Sequence, residues 1–173
     1  MPDRTLLALG VEPGLPVSIA GLIDMLRYTR KTTIQAVTGL TPSQLDHQHD
    51  PASNSIGALL SHIAAVELWY QANTFDGREW SAEDHDQWIA AIEFRPELRE
   101  KIGGWPLELY LDSLATIRAR TERELRLRDE EWLLRIEPFE DRDANNYWKW
   151  FHVCEDEINH RGQIRWLRKR LPA

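Results

Sequence analysis

The sequence predicts an all-α four-helix bundle. Three observations carry that reading. Long segments repeat apolar residues at steps of three and four, the period of a helix with one buried face. No segment sustains the alternation of a half-buried strand, and neither an Asn-Gly hairpin signal nor a fixed-period repeat occurs. The periodic segments number four, joined by two long connections, which permit parallel as well as antiparallel neighbours.

Residues 1–16 read as an N-terminal arm, because Gly10, Pro13, Gly14 and Pro16 break the apolar piece at the start. The first long helix opens near Ser18. Ile19, Leu22, Ile23, Leu26, Thr33 and Val37 form its stripe, with a longer gap around Arg30, and Gly39 stops it. In LTPSQLD, Thr41 can cap, Pro42 suits the first helical position and Gln44 lies three residues after the cap, so a short capped turn is expected. The second long helix runs from Asn54 or Ser55 to about Asn73, with Leu59, Ile63, Val66 and Tyr70 inward. Residues 75–105 lack a sustained stripe; a short helix over 83–92 is expected, and the segment reads as a functional cover or an interface. The third long helix starts at Pro106 and carries Leu107, Tyr110, Leu111, Leu114, Ile117, Thr121 and Leu125. Residues 133–144 read as a connection containing Pro138. The fourth helix runs from about Asn145 to Leu171, with Val153, Ile164, Leu167 and Leu171 as its seam.

A chain of 173 residues favours one domain spanning 1–173 and is long enough to bury a core without staples. Its net charge of -7 argues against a nucleic-acid partner and against an anionic membrane surface. Cys154 is the only cysteine, which excludes an intrachain disulfide and suits a thiol-keeping cytoplasm. No signal peptide or membrane span is read at the N-terminus. The eight Trp are scattered, which fits core and seam packing.

The chemistry concentrates on the last helix. At about 100° per residue, His160 shares the face of Val153, Ile164, Leu167 and Leu171, and Asp156 lies one turn before it. A carboxylate and an imidazole therefore interrupt an apolar seam, and burying the carboxylate requires a partner. A divalent cation is one such partner, since an i,i+4 pair on one helix is a ligating geometry. His62, on the flank of the second helix's apolar face, is the best further ligand. The competing reading makes His62 a hydrogen-bonded core residue and Asp156 the mate of an arginine. Two imidazoles and one carboxylate with open positions form a catalytic pattern, because structural zinc is normally closed by four protein ligands. Glu67, Glu157 and Gln163 are weaker candidates for acid/base or supporting roles, with ordinary salt bridges or solvation as the alternative. Arg161 is expected to pair with Glu157, with an anionic substrate group as the alternative. His47, His49 and His85 read as solvated loop residues, His152 as a support to the site or an interfacial residue, Cys154 as buried packing, and Arg165, Arg168, Lys169 and Arg170 as cations favoured at a helix C-terminus.

The stretches SIGALLSHIAAVELWY and, far downstream, HVCEDEINHRGQIRWLRKRL occur in an order that resembles the DinB-like (YfiT-related) superfamily of metal-dependent proteins. The resemblance covers most of the chain. It implies a four-helix bundle of up-up-down-down topology and a three-ligand site, carried here by His62, Asp156 and His160. Asp156 stands where histidine is usual, although some thiol-dependent members have a carboxylate there. The implied cofactors are a divalent ion, Zn2+ or Ni2+, and a low-molecular-weight thiol held as thiolate. The implied activity is an S-transferase acting on a small-molecule electrophile. A metal-dependent hydrolase is the runner-up, since an open position can instead hold a water with a pKa near ~7. A bundle without chemistry, serving binding or dimerisation, is the reading from another class. Homodimerisation is expected partly by the same resemblance.

Overall fold

The computed structural model describes residues 8–172. α1 (Val17–Val37) is followed by α2 (Pro42–Asp46) and α3 (Ile56–Thr74). Two short helices, α4 (Ala82–Ile92) and α5 (Glu97–Ile102), lead to α6 (Leu107–Arg126). Then come α7 (Glu130–Leu134), strands β1 (Ile136–Phe139) and β2 (Arg142–Asn145), and α8 (Asn146–Arg168). The all-α four-helix bundle is therefore the fold, built from α1, α3, α6 and α8.

Local chemistry sets the helix ends. Gly39, at φ 79, follows α1 in the left-handed conformation that a helix stop favours. α2 carries the capping box expected of Thr41 and Gln44, with Pro42 in its first turn. Ser55 caps α3 by accepting from the Ala58 N–H, and Asn145 caps α8 by accepting from the Trp148 N–H. Of the expected arm, residues 1–7 lie outside the described residues. The remainder, without helix or strand, is pinned to the bundle by Gly10, whose N–H donates to Asp24, and by Glu12, which pairs with Arg126.

The helix directions follow from the side chains that meet. α1 and α8 run parallel: Thr29 meets Cys154, and farther along Arg168 donates to the Ala36 carbonyl. α3 and α6 are also parallel, with Gly57 against Tyr110 and Gln71 bonded to Thr121. α1 opposes α6, since Arg30 reaches Leu114 while Arg27 reaches Glu122. α3 opposes α8, since His62 lies by His160 while Asn73 accepts from Lys149. The order is thus up, down, down, up rather than the expected up-up-down-down. Its cause is which connection travels. Segments 38–55 and 127–145 turn back at the end where they start, whereas 75–106 carries the chain back along the bundle by way of α4 and α5.

One difference from the sequence reading is the β1–β2 hairpin, within the stretch read as a connection. It pairs Ile136 with Asn145 and Phe139 with Arg142. Four-residue strands, a proline on β1 and a turn without glycine leave no alternating signal. Glu140 instead takes the left-handed position, at φ 55.

The core has three layers. At one end, Val37, Leu45, Ile56, Leu59, Leu60, Leu114, Ile164 and Leu167 pack together; at the other, Ile19, Leu22, Ile23, Leu26, Tyr70, Leu125, Trp150 and Val153 do so. Each fully buried aliphatic side chain contributes about 1.5–3 kcal/mol. Between them lies an ionic layer with one member from each long helix: Arg30, Glu67, Arg118 and Glu157, all buried. Arg30 bonds Glu157 at 2.9 Å and Glu67 at 2.9 Å; Arg118 bonds Glu67 at 2.7 Å and Glu157 at 3.0 Å. Two positive and two negative groups cancel, and the arginines also donate to the Leu114 and Leu26 carbonyls.

Candidate functional site

One residue before Glu157 on α8 the polarity changes role. Its neighbour Asp156 projects toward α3, with His160 one turn on. Asp156 Oδ1 lies 3.3 Å from His160 Nε2 and 3.6 Å from His62 Nε2. The ligand atoms of His62, Asp156 and His160 all fall within 4.8 Å of one another. The ionic layer fixes the rotation of α8 that aims Asp156 and His160 at α3.

The cover segment orients His62. Its Nδ1 lies 2.9 Å from the Ala91 carbonyl oxygen in α4. A carbonyl only accepts, so Nδ1 donates to it and Nε2 is the ring nitrogen that faces Asp156. α4 ends so as to release that carbonyl: Phe94 is left-handed at φ 52, and the next N–H, of Arg95, donates to Ala90 instead. The Phe94 ring then stacks on His62 at 4.3 Å and meets His160 edge-on at 5.8 Å. Among the described residues, Phe94 and Glu140 are the two non-glycine residues with positive φ. Phe94 stacks on this site and Glu140 lines its cleft. Strained backbone of this kind persists where surrounding structure holds it, and it concentrates at functional sites.

The cleft, about 380 Å³, has His62 and Asp156 in its floor. Val66, Trp69, Tyr70, Trp80, Ile89 and Ile92 make its walls apolar, while His85, His152 and Glu140 bring polar groups to it. Burial would raise the Asp156 carboxyl, but hydrogen bonds from His160 and His62 outweigh it and hold the carboxyl well below the usual carboxylate range. Asp156 is therefore an anion between two imidazoles. Tyr70 goes the other way: burial, then the charges of Glu140 and Asp156, push its hydroxyl far up, so it stays a proton donor.

The other singled-out residues lie elsewhere. Glu67 and Glu157 belong to the ionic layer, each held by two arginines. Gln163 lines a separate groove beside Asn159 and Trp166. Arg161 does not pair with Glu157, which is already occupied; its guanidinium donates to Thr32 instead. Cys154 is buried 3.2 Å from the Thr29 hydroxyl, and burial pushes its thiol up. Sequence reasoning missed His85, because α4 carries it to the cleft from what reads as an acidic loop. It missed Phe94 and Glu140 because nothing local marks a left-handed phenylalanine or glutamate.

Solved structures share this fold. A conserved protein of Enterococcus faecalis is 16% identical, with a TM-score of 0.64 over 86% of this chain and 94% of its own. The colibactin self-resistance protein ClbS, in complex with a dsDNA, is 13% identical, with a TM-score of 0.66 over 89% and 97%. An uncharacterised protein of Escherichia coli UTI89 is 14% identical, with a TM-score of 0.63 over 90% and 95%. The ClbS complex overturns the expectation that nucleic acid is excluded as a partner. The exclusion rested on net charge, and a sum over the whole chain says nothing about one face. Here Arg165, Arg168, Lys169 and Arg170 gather at one end of α8 inside a chain of net charge -7. Among the described residues, no helix is long and apolar enough to cross a membrane. No curated protein matches the chain. The mycothiol-S-transferase family profile, of the DinB/YfiT-like fold group, matches residues 21–173, nearly the whole chain. On that match, the chain belongs to the mycothiol-S-transferase family.

Proposed function

We propose that the protein is a divalent-metal-dependent thiol S-transferase, with His62, Asp156 and His160 as metal ligands. One observation carries the reading: His62 Nε2 and the Asp156 carboxylate face each other at 3.6 Å with His160 alongside, three ligand atoms converging within 4.8 Å of one another. Two ligand atoms each about 2.1 Å from a tetrahedral ion lie roughly 3.4 Å apart. The 3.3 and 3.6 Å separations match that spacing, and all three ligand atoms lie within 4.8 Å of one another. The hydrogen bond from His62 Nδ1 to Ala91 is the outer contact that orients a ligating imidazole. Nitrogen and carboxylate donors in this number suit Zn2+ or Ni2+ and leave positions open.

When bound, such an ion lowers the pKa of a coordinating thiol and keeps it as thiolate. Family membership supports a thiol-linked transferase role and points to mycothiol as the thiol. The chain's own residues supply the rest. Asp156, held as an anion, offsets part of the positive charge at the site. Trp69, Trp80, Ile89 and Ile92 exclude water from the small electrophile, and Tyr70 holds a proton for the leaving group.

Protein purified without a histidine tag tests the reading by elemental analysis. About one Zn2+ or Ni2+ per chain is expected, lost in His160→Ala and in Asp156→Ala. Mycothiol consumption with small electrophiles should vanish in the same variants. Equal metal content in wild type and His160→Ala would overturn the assignment.

A further inference from the structure

A chamber of about 560 Å³ opens between α3, α4, α5 and α6, and its lining shares no residue with that of the cleft at His62. On α3, Leu60, Ser61 and Ala64 line the chamber, whereas His62, Val66 and Trp69 line the cleft. At about 100° per residue these two sets lie on opposite sides of the helix. α4 is divided in the same way, with Trp88 and Ala91 toward the chamber and Ile89 and Ile92 toward the cleft.

The chamber walls are apolar and aromatic. Leu60, Leu98, Ile102 and Tyr110 are buried around it, and Trp88 closes one side. At the mouth, Trp105 and Leu109 remain 37% and 48% exposed. Large apolar side chains left wet beside an apolar hollow form a rim that a ligand covers. Gly104, left-handed at φ 76, turns the chain just before Trp105, whose ring lies 5.6 Å from that of Tyr110 between centroids.

Ser61 gives the second, independent observation. It lines the chamber and is only 7% exposed, yet among the described residues its hydroxyl has no hydrogen-bond partner. A buried hydroxyl left without a partner is costly, and here a ligand's polar group can supply one. The other polar groups are already engaged. The Tyr110 hydroxyl donates to the Ile102 carbonyl. Lys101, the one charged residue of the lining, donates to the Asp86 and Gln87 carbonyls of α4.

We propose that this chamber binds a neutral aromatic ring carrying one hydroxyl group. The ring packs among Trp88, Trp105 and Tyr110, and its hydroxyl pairs with Ser61. The committed Lys101 leaves no free cation to call for an acidic ligand. The site rests on this lining alone and not on the function proposed above.

NMR titration of the full chain with β-naphthol, read at the tryptophan indole N–H groups, tests it. Saturable micromolar shifts at Trp88 and Trp105 are expected. Naphthalene, which lacks the hydroxyl, should bind about fivefold more weakly, and Ser61→Ala should erase that difference. Ser113→Phe, which fills the chamber from α6, should weaken β-naphthol about tenfold or more. Leu109→Glu, a surface change that keeps the fold, should do the same by charging the rim. His160→Ala should keep ring binding while losing metal, so failure of the metal reading is told apart from failure of this one. Absence of a saturable shift overturns the proposal, as do shifts confined to Trp69 and Trp80 in the cleft. Unchanged binding in folded Leu109→Glu and Ser113→Phe proteins overturns it equally, and so does a preference for the hydroxyl that survives in Ser61→Ala.

Discussion

Replacing Glu67 by glutamine removes one negative charge from the layer that ties all four long helices together. Glu67 accepts from Arg118 at 2.7 and 3.0 Å, from Arg30 at 2.9 Å and from Thr121 at 2.6 Å. Burial pushes its carboxyl up, but the Arg118 and Arg30 guanidinium groups outweigh burial and bring it from 4.5 down to about 2. That fall corresponds to about 3 kcal/mol. Removing one partner of a buried ion pair costs about 3–5 kcal/mol, the same range by a separate route. The sign is fixed by the direction of the shift. The stabilisation is complete above the unfolded value near 4.5 and disappears as pH falls through the folded value near 2. At neutral pH, Glu67→Gln should melt roughly 6–12 °C below wild type. Circular-dichroism melts from pH 7 down to pH 2 should show the two curves converging on acidification, because glutamine has no proton to gain. A melting point within about 2 °C of wild type at pH 7 would refute the argument. So would a gap that stays constant down to pH 2.

Other perturbations probe the site and its supports. Adding Zn2+ at a hundredfold over its Kd should stabilise wild type by about 2.7 kcal/mol, and EDTA should reverse the gain; thermal shift reads both, with His160→Ala unresponsive. Asp156→His restores the residue that the family resemblance makes usual there, and should bind metal at least as tightly as wild type by competition with a chromophoric chelator. Phe94→Gly relieves the left-handed backbone but removes the ring from His62, so the melting point should hold while metal affinity drops about tenfold, or about 1.4 kcal/mol. Gly57→Ala would place a Cβ 2.6 Å from the Tyr110 hydroxyl oxygen, and should cost about 1–3 kcal/mol in urea denaturation.

How much of this was legible in the sequence depends on where a residue's partner lies. The helices were readable because stripe, cap and stop are local: Thr41 with Gln44, Ser55 before Ile56, Gly39 after Val37. Direction was not, because it depends on where the long 75–106 segment delivers the chain, and no local pattern encodes that path. The hairpin was hidden for the same reason, since β1 and β2 are too short to show a period. The site residues sit between these cases. Asp156 and His160 announced themselves by interrupting an apolar seam, and His62 by lying beside one. The gap in the first helix's stripe around Arg30 was the same signal: Arg30 is 6% exposed, facing Glu67 and Glu157 inside the core. A polar residue on an apolar stripe needs a partner, and the stripe alone does not say which. Glu157 found two arginines and closes the ionic layer; Asp156, one position earlier and about 100° around the helix, found two imidazoles. Those two fates are coupled, because the arginines that hold Glu157 also fix the rotation at which Asp156 meets His62. Arg118→Met should accordingly weaken metal binding without touching any ligand, whereas a ligand variant should leave the acid limb set by Glu67 in place.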